Sequence, residues 1–310
     1  MTLTTTRHPT TAEDATRRPA PAKGAGLGLL LALLATVVWS GSFVATRDMA
    51  DTVPPVQAVF WRWTIALLAV APLAARPFWR QRTLLLRRHL GSTALASLFG
   101  VALYNTLVHQ AGLTTSATNM GMIMAASPVI MAGYARLGGE RLGPRRLLGM
   151  AIAVLGVLLL VGDGSLAIDL SAGDLWMFAA ALSFASYSAL LKRRPPEIDG
   201  LAFLFTTFVL GALMLAPAYA VSLAVQGGFP ATPGTVGPLL YLGVFSSAVA
   251  FFAWNKAISL VGAARAGVVY HLQPVCVALL AYALLGEELG LAGGASMALV
   301  LGGVTLGSAR

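Results

Sequence analysis

The sequence contains one long apolar stretch twice. The first copy spans residues 111–143 and the second spans residues 257–290. Each copy holds a single proline, Pro128 in the first and Pro274 in the second, and these prolines are 146 residues apart. Each copy also ends in a Gly-Glu pair followed by Leu-Gly one residue later. Because these features recur in register, we predict that the chain consists of two copies of one half.

Composition places both halves in a membrane. Hydrophobic residues make up 57% of the 310 residues, charged residues only 11%, and the mean hydropathy is +0.77. A soluble domain carries about 25% charged residues. The apolar surplus therefore predicts an all-α integral membrane protein. The single cysteine, Cys276, excludes a disulfide within the chain.

The spans can be counted from the apolar runs. A helix needs about 20 residues to cross roughly 30 Å of hydrocarbon. This rule predicts ten transmembrane helices, at residues 27–46, 56–74, 90–108, 115–135, 147–161, 175–191, 201–221, 236–255, 263–285 and 291–306.

The basic residues orient these spans. Cytoplasmic loops collect Lys and Arg, and 19 of the 21 basic residues fall on one side if the N-terminus is cytoplasmic. Only Arg47 lies on the other side, and Arg62 lies inside the second span. The pattern predicts a multi-pass protein of the cell membrane with both termini cytoplasmic. The net charge of +9 is thereby explained without a nucleic-acid partner.

Five spans per half is an odd number, so the second half must enter the membrane from the opposite side. Inverted repeats are the recurrent architecture of secondary transporters, because two related halves supply two states of similar energy. We predict a disordered cytoplasmic tail at residues 1–26, one five-helix repeat at 27–162 and a second at 163–310.

Several short motifs carry a resemblance to a known family. They are Trp39–Val44 (WSGSFV), Pro55, Arg62, Pro128 with Gly139–Gly143 (GERLG), Gly149, Gly156, Pro274 with Gly286–Gly290 (GEELG), Gly302 and Gly303. Over residues 27–306 the chain resembles the EamA type of the drug/metabolite transporter superfamily. The resemblance implies ten helices, cytoplasmic termini and transport of metabolites or drugs, commonly outward. It names no substrate.

Motifs for other activities are missing from the sequence. It contains no GxxxxGKS, HExxH or GxSxG pattern and no soluble domain to hold one. We therefore predict no cofactor, no metal and no catalytic residue. The leading hypothesis is a secondary transporter that exports a small organic metabolite, such as an amino acid or related compound, or a drug. An uptake permease of the same fold is the second hypothesis, and a membrane enzyme or sensor is the third.

Polar side chains inside the spans are the candidate substrate-binding residues, because polar groups in hydrocarbon need partners or a cavity. The ninth helix offers Tyr270, His271 and Gln273 beside Pro274, and the fourth offers Asn119 and Ser127 beside Pro128. Both prolines are predicted to break their helices, since proline removes a backbone donor. Further candidates are Trp39, Tyr104, Asn105, His109, Tyr187, Trp254 and Asn255. Packing between helices is the alternative for each.

Two histidines and one repeat-related pair suggest more specific roles. No Asp or Glu lies in the middle of a span, so a coupling proton would need His109 or His271. Asn255 corresponds to His109 in the repeat, so the two are hypothesised to gate opposite ends of the path.

Other residues have two interpretations each. Trp61, Trp63 and Trp79 are predicted to be interfacial anchors. Arg62 is expected at the outer start of the second helix. There it could snorkel outward or bind a substrate carboxylate, but a structural pairing is the favoured interpretation. A coupling or capture role remains open for Glu287 and Glu288, and Glu140 is interpreted as part of an ion cluster. Glycines of the fifth and tenth helices predict packing within the chain, with a homodimer as the alternative.

Overall fold

The computed structural model describes residues 24–137, 139, 143–161 and 170–308. These residues form ten helices and no β-strand. The helices are α1 (Ala25–Asp48), α2 (Pro55–Thr83), α3 (Leu90–Ala111), α4 (Ala117–Ala125 and Ser127–Leu137), α5 (Pro144–Val161), α6 (Ala172–Lys192), α7 (Gly200–Gln226), α8 (Pro233–Val261), α9 (Ala263–Tyr270 and Gln273–Leu285) and α10 (Leu291–Ser308).

The ten predicted spans are confirmed. Among the described residues, seven helices are long and apolar enough to cross a bilayer, and shorter apolar helices form α4, α5 and α10. The boundaries differ at several helix ends. Helix α1 begins at Ala25, inside the predicted tail, while α2 continues to Thr83, α7 to Gln226 and α8 to Val261, all beyond the predicted ends. The predicted junction between the repeats and Glu140 lie outside the described residues.

Helices α4 and α9 are both interrupted next to their prolines. In α9 the regular α-helical hydrogen bonding ends at Tyr270 and resumes at Gln273, with Pro274 in the first turn of the new segment. Proline is tolerated there because the first-turn N–H has no partner within the helix anyway. In α4 the same interruption separates Ala125 from Ser127. The two breaks are therefore related by the repeat.

Helices α3 and α8 each contain a π-helical segment, in which the backbone turns are wider. These segments, Leu98–Leu103 and Tyr241–Val249, end at positions 146 residues apart, the same offset as the prolines. Wider turns leave carbonyl oxygens available to side chains. An indole N–H donates to a carbonyl in each segment: that of Trp63 to Val101 at 3.1 Å, and that of Trp39 to Ser246 at 3.0 Å.

Glycines bring α5 and α10 into backbone contact. A Cβ atom added at Gly149 would lie 2.5 Å from the carbonyl oxygen of Gly303 and 2.5 Å from the amide nitrogen of Gly307. At Gly156 it would lie 2.8 Å from the nitrogen of Val300. The glycine faces are thus used for packing within the chain, as the first interpretation predicts. They are not free to form a homodimer contact.

Hydrogen bonds connect the helices at the end of the bundle that the charge pattern predicts to be extracellular, hereafter the outer end. They join Arg47 to the carbonyl of Gly112, Gln57 to the carbonyl of Gly227, Thr115 to Asp174, and Glu287 to the start of α4. Gly286, with φ +68°, ends α9 in the left-handed conformation that glycine tolerates best. The chain then turns so that Glu287 reaches α4.

Candidate functional site

A cavity of about 580 Å³ lies between the two halves of the chain. We call it the central cavity. Its polar and aromatic lining comes from the first half through Trp39, Arg62, Trp63, Tyr104 and Asn105, and from the second half through Tyr187, Arg194, Ser246, Ser247, Trp254 and Asn255. A volume of this size falls within the range of small-molecule sites.

The central cavity extends to one end of the bundle. Its lining includes Leu191 at the end of α6, Gly200 at the start of α7 and Ile258 near the end of α8. These helix ends share the side that the basic residues predict to be cytoplasmic, hereafter the inner end. The hydrogen bonds of Arg47, Gln57 and Glu287 lie at the opposite, outer end, whereas Gln81 of α2 bonds to the segment between α6 and α7 at the inner end.

Arg62 lies in the wall of the central cavity and is only 8% exposed. Of the three interpretations that the sequence offered for Arg62, outward snorkelling is therefore wrong. Its Nε donates to the hydroxyl of Ser247 at 3.2 Å, and its Nη2 donates to that of Ser246 at 3.3 Å. Its guanidinium carbon lies 5.4 Å from the ring centroid of Trp63. The guanidinium of Arg62 is therefore held by uncharged groups, the two serine hydroxyls and the ring of Trp63.

Close packing of α2 against the π-helical segment of α8 places Arg62 beside these serines. A Cβ atom at Gly243 would lie 2.5 Å from Cγ2 of Ile65 and 3.0 Å from the carbonyl oxygen of Arg62, so glycine is needed for this approach. The Ser247 hydroxyl in turn donates to the carbonyl of Leu242 at 2.8 Å, which fixes its lone pairs toward the guanidinium.

Three aromatic rings form another side of the site. The ring centroids of Trp39 and Trp254 are 5.5 Å apart, and that of Tyr270 lies 5.9 Å from the first and 5.6 Å from the second. Trp39 and Trp254 line the central cavity, with Tyr270 packed behind them. Aromatic pairs at such distances are stabilising beyond the area they bury. The wall is therefore both apolar and stiff.

A smaller cavity of about 130 Å³ lies where the two helix breaks meet. The candidates in its lining are Ser127, Pro128, Tyr270, His271, Gln273 and Pro274. The Nδ1 atom of His271 is buried and has no hydrogen-bond partner among the described residues. Tyr270 lies between the two cavities, since it lines the smaller one and its ring packs against Trp39 and Trp254 of the central cavity.

The remaining two candidates, His109 and Asn119, line neither cavity. His109 is 4% exposed, and its Nδ1 lies 2.9 Å from the carbonyl oxygen of Asn105. Asn119 is in the first turn of α4, where its backbone N–H donates to the Ser116 hydroxyl at 3.0 Å. Asn255 lines the central cavity and is exposed, so the hypothetical pair of gates is not arranged symmetrically.

Sequence reasoning missed several residues of the central cavity, among them Trp63, Ser246 and Ser247, and it offered Arg62 only as an alternative. The prediction that Trp63 is an interfacial anchor is wrong, since its ring is 7% exposed. Trp61 and Trp79, at 38% and 61% exposed, are accessible as that role requires. A signal for Arg62 was present, because it is a basic residue well inside a predicted span.

The fold and the cavity together define a membrane transporter: a helical bundle of two inverted halves, with broken helices and a ligand-sized cavity between them. The chain belongs to the EamA-like transporter family, which it matches over residues 26–162 and again over residues 171–308. The resemblance inferred from the motifs is thereby confirmed. The chain is a multi-pass membrane transporter and not an enzyme.

Relatives and a solved structure agree with this assignment. The chain is 30% identical to an uncharacterized transporter of Archaeoglobus fulgidus, over 84% of this chain and 89% of the relative. It is 29% identical to a probable terminal-alkyne amino-acid exporter of Streptantibioticus cattleyicolor, over 85% of this chain and 88% of the relative. A crystal structure with 20% identity superposes with a TM-score of 0.60, covering 91% of this chain and 96% of the other, and shows the same fold.

Proposed function

We propose that this transporter exports a small organic metabolite, such as an amino acid or a related compound, from the cytoplasm by alternating access. The observation that carries the proposal is the central cavity, which is lined by both halves and extends to the inner end. Two inverted halves provide a second state of similar energy in which the cavity opens to the outer end. The substrate-binding role of the cavity residues belongs to this proposal.

The outward direction and the substrate class are supported by one relative. The protein of Streptantibioticus cattleyicolor is named a probable terminal-alkyne amino-acid exporter. An amino acid with an apolar side chain suits a cavity that combines polar groups with an aromatic wall. Uptake of the same solute is the competing hypothesis, because direction depends on gradients and coupling.

Exchange in reconstituted vesicles tests the proposal. Vesicles are preloaded with mixed amino acids, nucleobases and cationic drugs, and the solutes that leave are followed with and without a pH gradient. We expect saturable efflux of one unmodified class. Release of a chemically altered product, or no protein-dependent efflux of any solute, would contradict the proposal.

The orientation is tested by thiol labelling of intact cells. We propose cytoplasmic termini in the cell membrane, with Arg193 inside and Asp51 outside. In a Cys276→Ser background, an impermeant maleimide should label the Asp51→Cys variant in intact cells. It should label the Arg193→Cys variant only after the cells are opened. The reverse pattern would show that the topology is inverted and that the end here called inner faces the outside of the cell.

A further inference from the structure

We propose that Arg62 binds a carboxylate group of the transported metabolite. This inference rests on the proposed function, since it assigns a substrate class to the same cavity. It begins from the charge balance of the cavity wall. Among the described residues that line the central cavity, two are arginines and none is Asp or Glu.

A buried arginine without a carboxylate partner requires a reason. Arginine keeps its charge in proteins, and an isolated charge in a low-dielectric interior is unfavourable by several kcal/mol. The partners that the structure gives to Arg62 are two neutral hydroxyls and one aromatic ring. They orient the guanidinium but do not neutralise it. A substrate anion would supply the missing charge.

The free part of the guanidinium has the geometry that a carboxylate requires. Nε and Nη2 donate to Ser247 and Ser246, which occupy one edge of the group. Nη1 donates to none of the described residues. The end formed by Nη1 and the second hydrogen of Nη2 can therefore donate two parallel hydrogen bonds, the arrangement in which arginine binds carboxylates.

The surroundings favour a carboxylate over a phosphate. The second arginine of the lining, Arg194, lies after the end of α6 at the cavity mouth, with its guanidinium carbon 5.7 Å from the ring centroid of Phe203. One free guanidinium end balances a single negative charge, whereas a phosphate monoester carries more charge and three acceptor oxygens. The aromatic wall offers the apolar contact that the rest of an organic acid would need. Arg194 is placed to attract the anion to the mouth.

The wild-type protein provides the first test. Protein in vesicles is assayed with amino acids, 2-oxo acids, sugar phosphates, nucleobases and cationic drugs, and each carboxylate that moves is compared with its own amide. Purified protein is assayed in parallel for thermal stabilisation by the same compounds. We expect carboxylates to be transported and to stabilise, with the amides at least about 10-fold weaker, as the loss of charge-assisted hydrogen bonds predicts.

Variants provide the second test. Arg62→Gln should weaken the carboxylate by about 10- to 100-fold and leave the weak binding of its amide unchanged. Arg62→Lys should recover part of the loss, because it restores charge without the planar fork. Arg82→Gln is the matched control, since it removes an exposed arginine stacked on Trp79, away from the cavity. If Arg62→Gln does not fold, the comparison of acid and amide on the wild type decides alone.

The outcomes separate this inference from the proposed function. Transport of a nucleobase, a cationic drug or a phosphate ester, with no carboxylate moved, would uphold transport and overturn the inference. Equal transport of an acid and its amide would also overturn it. Failure of every carboxylate both to move and to stabilise the protein would count against it in the same way.

Discussion

Glu287 caps the helix that begins at Ala117, although the two residues belong to different halves of the chain. One carboxylate oxygen accepts from the backbone N–H of Ala117 at 2.8 Å. The other accepts from the N–H of Thr118 at 3.1 Å and from its hydroxyl at 2.8 Å. A carboxylate at a helix start satisfies unpaired donors and the helix dipole together. These bonds give Glu287 a structural contact that links the end of α9 to the start of α4 at the outer end.

Glu287→Gln should loosen this contact. Losing the charge and one acceptor at a helix start destabilises by about 1–2 kcal/mol, which shifts an equilibrium by about 5- to 30-fold. We expect faster extracellular labelling of a cavity reporter, Phe252→Cys, in a Cys276→Ser background. Glu288→Gln is the control, because that neighbouring carboxylate is exposed. Equal labelling rates in the two variants would show that the cap does not hold the outer end closed.

Tyr270→Ala should impair transport while the protein still folds. The ring contacts both Trp39 and Trp254, and each aromatic pair contributes about 0.5–1.5 kcal/mol, so roughly a ten-fold loss in transport is expected. Tyr270→Phe retains the ring and should transport normally. Unchanged transport kinetics in Tyr270→Ala would show that the aromatic wall does not line the substrate path. Thermal melting of each variant verifies that folding is intact.

His271→Gln should abolish any dependence of transport on a pH gradient. Histidine can take up and release a proton, and His271 lines the smaller cavity with an Nδ1 that has no partner among the described residues. His109→Gln should keep the dependence, because His109 is bonded to the Asn105 carbonyl and lines neither cavity. The measurement is counterflow with and without the gradient. A gradient effect that survives in His271→Gln excludes this residue as the coupling site.

Gly149→Val should destabilise the protein strongly. Its side chain would enter the backbone contact between α5 and α10, and such overpacking is unfavourable by about 1–3 kcal/mol or more. Gly302→Val, on the partner helix α10, is the matched control, since a Cβ at Gly302 meets no atom within 4 Å. Thermal melting in detergent separates the two. Similar melting temperatures would mean that the helices separate easily to accommodate a side chain.

Much of the fold could be predicted from the chain because membrane spans have strong local signals. Apolar length located the ten helices, and Pro128 and Pro274 indicated where α4 and α9 are interrupted. The offset between the two prolines revealed the duplication. The placement of the basic residues predicts an orientation, which the labelling experiment tests. These features depend on composition and spacing, which a sequence displays directly.

The composition of the site was harder to predict because it depends on contacts between distant helices. Nothing local predicts the π-helical segment that presents Ser246 and Ser247, since it forms where α8 packs against α2. Trp63 was taken for an interfacial anchor because it lies near the predicted end of a span. Its ring is buried by packing against Phe208 of α7, and its indole N–H donates to the carbonyl of Val101 in α3. Each of these features requires the packed bundle.

The unneutralised charge of Arg62 has a consequence for which step limits the rate of the transport cycle. If the empty protein were to close both ends at once, it would enclose a guanidinium without a counter-ion away from water, which is unfavourable. A bound anion removes this penalty, so the loaded protein should change state faster than the empty one. The empty return would then limit net flow. Substrate supplied on the far side should accelerate the turnover of substrate on the near side.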